Sequence, residues 1–336
     1  MKPSHTLALG ALGLGAATVW WHQRRPRYSF ADRVVVLTGG SRGLGLELAR
    51  QLAEEGAVLA LLARDSDELL TAAHELRALG GAVRCYPCDV GSAEEVEHTM
   101  HAIDADLGRI DVLIHNAGRI LCAPVDNLRR EDFEASMRTH FYGALHTTLA
   151  ALPIMHRQRE ARILYVSSIG GKIGIPHMAP YSASKHALAG FARALAAELR
   201  PTQIRVTLAC PGLLRTGSHR AALFGGKAEA EARVFTAAAT APGVTVSADL
   251  AARRLIEACR AGRAEVTFPW QWRMTGAGFE LFPEMAQTAN GLISRVLPAA
   301  TPTHTPIRTG KEVRGPQPGV WSKRHEEQLA ARMHQH

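Results

Sequence analysis

At 336 residues, 46% of them hydrophobic and 21% charged, the chain can bury one large core with appendages or two smaller ones. Its net charge of +8 would suit a nucleic-acid binder, but the excess sits at the two ends. Residues 1–33 carry five Lys/Arg against Asp32 and residues 298–336 carry six against three Glu, which leaves about +1 for the middle. A near-neutral body excludes a basic nucleic-acid face, whereas basic ends suit an anionic membrane surface. The five cysteines are too few and too scattered for a disulfide framework, so a reducing compartment is expected. Cys85-x-x-Cys88 is not followed by a second such pair, and no metal site is expected there.

Residues 1–28 read as a membrane anchor with a basic flank. Thr6–Trp21 is apolar, and no formally charged side chain stands between Lys2 and Arg24. As a helix the uncharged stretch from Pro3 to Gln23 approaches the length needed to cross a ~30 Å hydrocarbon core. Trp20 and Trp21 suit an interface, and Arg24, Arg25 and Arg27 follow at once. A retained single-pass anchor is favoured over a cleaved signal peptide, since only Lys2 would charge the n-region and no clean small-x-small cleavage site stands directly before the Trp pair. The basic flank then places the body on the cytoplasmic side.

Residues 29–270 alternate strand and helix patterns. Strands are expected at Val34–Thr38, Val58–Leu62, Val83–Cys88, Val112–His115, Ile163–Val166, Val206–Ala209 and Val266–Phe268. Helices are expected at Leu44–Glu55, Ser66–Leu79, Glu94–Leu107, Arg130–Leu152, Tyr181–Leu199 and Ala248–Ala261, with Ser66 as an N-cap and Gly80 as a stop. Buried strands alternating with amphipathic helices define an α/β fold, a doubly wound parallel sheet of about seven strands of Rossmann type. In residues 271–297, an amphipathic C-terminal extension, Met285, Ala289, Leu292, Ile293 and Val296 recur at helical spacing, a stripe that could dock on the domain, on a partner subunit or on the bilayer surface, with packing on protein favoured. Residues 298–336, rich in Pro up to Pro318, read as a disordered basic tail.

The chemistry starts at Thr38-Gly39-Gly40-Ser41-Arg42-Gly43-Leu44-Gly45, between the first strand and the first helix. Glycines there permit a tight turn and let backbone N–H groups and a helix N-terminus meet a phosphate. The same turn contains Gly39-x-Ser41-x-Gly43, the pattern of a hydrolase nucleophile elbow, so a serine hydrolase acting through Ser41 is the rival class. Ser182-x-x-Lys185 matches a β-lactamase-like pattern without its companion motifs.

Further motifs follow in order: Asp89-Val90, Asn116-Ala117-Gly118, Ser168, Tyr181-x-x-x-Lys185, and Pro211-Gly212 with Thr216. With the glycine turn, this series over roughly residues 31–270 resembles the short-chain dehydrogenase/reductase family. The resemblance implies a nicotinamide dinucleotide held by Gly39, Ser41, Arg42, Gly43, Leu44, Gly45, Asp89, Val90, Asn116, Ala117, Gly118, Pro211, Gly212 and Thr216. It also implies catalysis by Ser168, Tyr181 and Lys185, the last two touching the cofactor as well. Tyr181 and Lys185 are four apart, so they share one helix face, and a nearby ammonium favours the phenolate. Ser168 would stabilise charge on the substrate oxygen.

NADP(H) is expected over NAD(H). Ala63 stands where an NAD-binding carboxylate belongs, and Arg64 and Arg42 are cations suited to a 2′-phosphate; a one-residue shift would bring Asp65 to the site instead. The family pattern fails at Thr139-His140-Phe141-Tyr142-Gly143, where His140 replaces an Asn that holds a relay water. His140 either keeps a modified proton relay or merely packs, and the second case opens a non-catalytic, cofactor-sensing reading. Leu213–Val246 is expected as an apolar lid, and Gly170, Gly171, Ile173, His177 and Met178 as a pocket wall. With a membrane anchor, this suggests a lipophilic carbonyl or secondary alcohol as substrate. The resemblance also implies a homodimer or homotetramer.

Overall fold

The computed structural model describes residues 27–241, 243–303 and 305–314. Thr6–Trp21, read as the anchor, lies outside them. Among the described residues no helix is long and apolar enough to cross a membrane.

The chain begins as an alternation of β1 (Val34–Thr38), α1 (Gly43–Glu54), β2 (Val58–Ala63), α2 (Ser66–Ala78), β3 (Ala82–Pro87), α3 (Ala93–Leu107) and β4 (Val112–His115). It continues with α4 (Arg130–Met137), α5 (Gly143–Met155), β5 (Ala161–Val166), α6 (Ala179–Glu198) and β6 (Ile204–Ala209). Then come α7 (Ala228–Thr240), α8 (Ala248–Arg260), β7 (Glu265–Val266), α9 (Trp270–Leu281) and α10 (Pro283–Val296). The seven strands are parallel in the order β3-β2-β1-β4-β5-β6-β7, with the reversal between β1 and β4. Ligands of such sheets bind beyond the strand C-termini at that reversal.

Alternation within buried strands feeds two cores. Val34 and Val36 face one side, with Met100 of α3, Ala151 of α5 and Leu188 of α6. Val35 and Leu37 face the other, with Leu48 and Leu52 of α1, Leu76 of α2 and Leu255 of α8. Each fully buried leucine contributes about 2 kcal/mol. The same alternation separates the C-x-x-C pair, since Cys88 lies in the first core and Cys85 packs against the second. All five cysteines are free, and the described residues hold no metal-binding cluster.

Four expectations need correction. The helix expected at Arg130–Leu152 is interrupted by a π-turn at Arg138–Tyr142, which turns His140 fully inward. The N-cap of α2 is Asp65 and not Ser66, the Asp65 carboxylate accepting from Glu68 N at 2.9 Å. The C-terminal stripe does not pack on the body. Pro283 starts a second helix, and Met285 (71% exposed), Ala289, Leu292, Ile293 and Val296 (80%) face outward, while Ala286 alone of α10 is buried. Finally, the described part of the tail is held to the body. Asn127 Nδ2 donates to Thr301 Oγ1 at 2.8 Å and to Thr301 O at 3.1 Å, and Arg308–Thr309 pairs antiparallel with Leu223–Phe224. Backbone pairing and one buried amide outweigh a proline-rich composition here.

Candidate active site

The glycine turn is built by the ends of β1 and β4. Thr38 Oγ1 accepts from the N–H groups of Asn116 (3.1 Å) and Ala117 (3.0 Å), and Asn116 Nδ2 donates to Gly39 O at 3.0 Å. Gly39 has φ +66° and a Cβ there would meet Ala117 Cα at 2.9 Å; a Cβ on Gly45 would lie 1.9 Å from Gly39 O. Neither position admits a side chain, so α1 can start directly against the turn. No side chain caps α1 and its first turn has no acid, whereas α2 and α3 are capped by Asp65 and Ser92 and begin with carboxylates. The open N–H groups and positive helix end fit an anion such as a dinucleotide diphosphate. Leu44 follows the turn and packs on the second core, and Gly43 faces Thr216, whose loop begins at Pro211-Gly212.

Ser41 Oγ donates to Glu68 Oε2 at 3.2 Å and is not bonded to an imidazole. A hydrolase nucleophile needs such a base, so the nucleophile-elbow reading of Ser41 falls. Arg42 Nη1 pairs with Glu68 Oε1 at 2.8 Å on the surface. β2 ends at Ala63, Arg64 follows exposed, and the Asp65 carboxylate is occupied in capping α2. Asp89 Oδ1 accepts from Gly91 N at 2.9 Å, and Val90 is buried against Gly143.

Ser168, Tyr181 and Lys185 come together at the ends of β5 and α6. Ser168 lies close enough to Tyr181 to act on its phenol, and Lys185 Nζ lies 5.8 Å from the Tyr181 ring centroid. Gly170 gives the tyrosine room, since a Cβ there would come within 2.9 Å of its ring. Burial pushes the Tyr181 phenol up to about 12, and the nearby Ser168 hydroxyl acts in the opposite direction. Burial pushes Lys185 down to about 8, and its Nζ donates to Val166 O at 2.9 Å. Burial thus dominates at the phenol, and the ammonium is turned to the Val166 carbonyl.

His140 accepts the N–H of Arg119 at Nε2 (3.0 Å), so its Nδ1 carries the proton and donates to Ser184 Oγ at 2.7 Å. Ser184 Oγ in turn donates to Pro180 O at 2.8 Å. Both ring nitrogens are spent on protein partners. Burial holds the imidazole neutral, well below its ordinary range, and Lys185 adds to this. His140 thus bridges the loop after β4 and α6 through its ring.

Over the site, α7 and a strap of residues 301–303 and 305–314 close on a small apolar cluster of Cys122, Phe224 and Ala232, with Met178, Phe235 and Val313 against it. His177 Nδ1 meets Glu231 Oε1 of α7 at 2.7 Å, and both side chains are mostly buried. His177 has φ +61°, a backbone state unusual for a non-glycine residue. Arg119, Asn127 and Glu231 escape a motif-based reading. Arg119 directly follows Asn116-Ala117-Gly118, which was the one available signal for it.

Residues 33–223 match the family model for short chain dehydrogenase, and the chain belongs to that family. It is 38% identical over 187 residues to a putative ketoacyl reductase of Streptomyces coelicolor, covering 55% of this chain and 72% of that one. A 3-ketodihydrosphingosine reductase of Bacteroides thetaiotaomicron is 35% identical over 185 residues, covering 55% and 65%. Among solved structures, a variant of actinorhodin polyketide ketoreductase with NADPH superposes with a TM-score of 0.61 at 31% identity, covering 70% of this chain and 95% of that one. NAD+-bound xylitol dehydrogenase gives 0.60 at 28% identity, covering 69% and 94%. The chain is therefore a short-chain dehydrogenase/reductase, an oxidoreductase that uses a nicotinamide cofactor.

Proposed function

We propose that the chain is an NADP(H)-dependent reductase of a lipophilic carbonyl compound, interconverting it with the secondary alcohol. The observation that carries this is the closeness of Ser168, Tyr181 and Lys185 at the ends of β5 and α6. Tyr181 is protonated at neutral pH and is the group that donates its proton to a carbonyl oxygen as hydride reaches the carbon. Ser168 donates a hydrogen bond to the same oxygen as charge builds there. Lys185, buried and easily deprotonated, replenishes the phenol proton and orients the nicotinamide ribose. The reduced nicotinamide supplies the hydride when bound.

The turn Gly39–Gly45 receives the diphosphate, Asp89, Val90, Asn116, Ala117 and Gly118 line the adenosine side, and Pro211, Gly212 and Thr216 cover the nicotinamide side. NADP(H) is favoured because β2 ends in Ala63, Arg64 is exposed beside it, and Asp65 is occupied as a cap. A lipophilic substrate is favoured by the apolar cluster beneath α7. Membrane attachment through Thr6–Trp21, with the body on the cytoplasmic side, is supported by the charge pattern of the first residues and by the outward apolar side chains of α9 and α10. Self-association as a homodimer or homotetramer is supported by Tyr142 and Leu149, which stand exposed beside and on α5.

The test is turnover of a carbonyl panel with NADPH and with NADH. Faster turnover of long-chain ketones with NADPH is the expected result, and turnover confined to small hydrophilic sugars refutes the lipophilic reading. Flotation of the full chain with vesicles, lost on removal of residues 1–26, checks the anchor.

A further inference from the structure

Arg119 sits between two unusual features. Its N–H is held by His140, the residue that departs from the family pattern, and its side chain is half-buried in the loop after β4. Among the described residues its Nε is buried with no hydrogen-bond partner. A guanidinium presents five donors in a fixed fork and is rarely left unsatisfied when buried. The charged groups that act on it are Asp132 at the start of α4, which favours its charge, and Arg64 at the end of β2, which opposes it. Burial opposes the charge more than either. Arg64 and Arg119 are near enough to repel each other, one carboxylate acts on Arg119 against this, and the open α1 N-terminus adds positive potential at the end of β1. An anion between them would satisfy the orphaned donor and relieve the repulsion.

We propose that Arg119 binds a phosphate of the dinucleotide, and that His140 is the positioning residue that holds Arg119 in place. The inference rests on the cofactor reading above. The ring of His140 joins the loop after β4 to Ser184, which lies between Tyr181 and Lys185 on α6. The imidazole thus fixes the phosphate-binding backbone relative to the catalytic pair, a task for which both of its nitrogens are needed. This gives the substitution at His140 a use other than proton relay.

The experiment is a fluorescence titration of the full chain with NADPH and NADH, which reads binding and not turnover. Arg119→Gln is expected to raise the NADPH Kd about 10- to 100-fold and to flatten its dependence on salt. If the partner is the 2′-phosphate, NADH affinity stays at the wild-type value; if it is the diphosphate, both affinities fall together. Either result supports the proposal. Wild-type affinity for both dinucleotides in Arg119→Gln overturns it. Arg119→Lys, which keeps the charge and loses the fork, is the check against misfolding and is expected to bind NADPH with intermediate affinity, its thermal midpoint unchanged. His140→Leu is expected to weaken NADPH binding in the same direction; a lower melting temperature with unaltered Kd would overturn the positioning role. If the wild type binds neither dinucleotide, it is the cofactor reading itself that fails.

Discussion

Lys185 offers a prediction in which stability and activity move in opposite directions. The amine is buried, and burial lowers it from 10.5 to about 8. The unfolded chain binds the extra proton between these values, so the folded state carries the full penalty below pH 8 and none above 10.5. The difference corresponds to roughly 3 kcal/mol at neutral pH. Lys185→Met removes it and leaves Val166 O without its donor, a loss of about 1 kcal/mol. The variant is therefore expected to be about 2 kcal/mol more stable at pH 7, which raises the thermal midpoint by roughly 3 °C, while turnover disappears. At about pH 9.5 the penalty falls to roughly 1.4 kcal/mol, so most of the gain should vanish. Urea denaturation of both proteins at the two pH values measures this. A variant less stable than the wild type, or a gap independent of pH, would refute the assignment of Lys185 as a strained catalytic cation.

Two further outcomes test the surroundings of the site. Asn127→Ala removes the amide that fixes Thr301 and Thr303 across the chain, which should destabilise the fold by about 2 kcal/mol and expose residues 298–314 to limited proteolysis; an unchanged digestion pattern would count against the strap. Glu68→Gln frees Arg42 from an exposed pair, 2.8 Å long, and removes a competing carboxylate. NADPH binding at low salt should tighten about two- to fivefold with little change for NADH, and equal effects on both dinucleotides would separate Arg42 from the 2′-phosphate.

Strands such as Val34–Thr38 and Val112–His115 were legible because a buried parallel strand is a short, unbroken apolar run bounded by turn residues. The catalytic trio was legible because its spacing is local to one helix and one strand end. The π-turn at Arg138–Tyr142 was not, because one extra residue in a helical turn barely disturbs an apolar period. Asp65 and Ser66 are both good caps, and only the backbone decides between them. The hold of Asn127 on Thr301 spans 174 positions and leaves no periodic trace, so proline-rich composition pointed the wrong way. The outward stripe of α10 carries the pattern of a packed helix, and the pattern alone does not say what it packs against. Arg119 has no motif of its own; its burial and its orphaned nitrogen are visible only in three dimensions.

The most direct test of the central claim is NADPH-dependent reduction of a long-chain ketone by the wild type and by Tyr181→Phe, with dinucleotide affinity measured on the same samples. The expected result is turnover by the wild type, a fall in kcat of about a thousandfold in the variant, and NADPH affinity preserved within about twofold, because the lost hydroxyl serves the proton and not the cofactor phosphates. Wild-type turnover retained by Tyr181→Phe, or a wild type that binds NADPH and reduces no carbonyl compound, would contradict it.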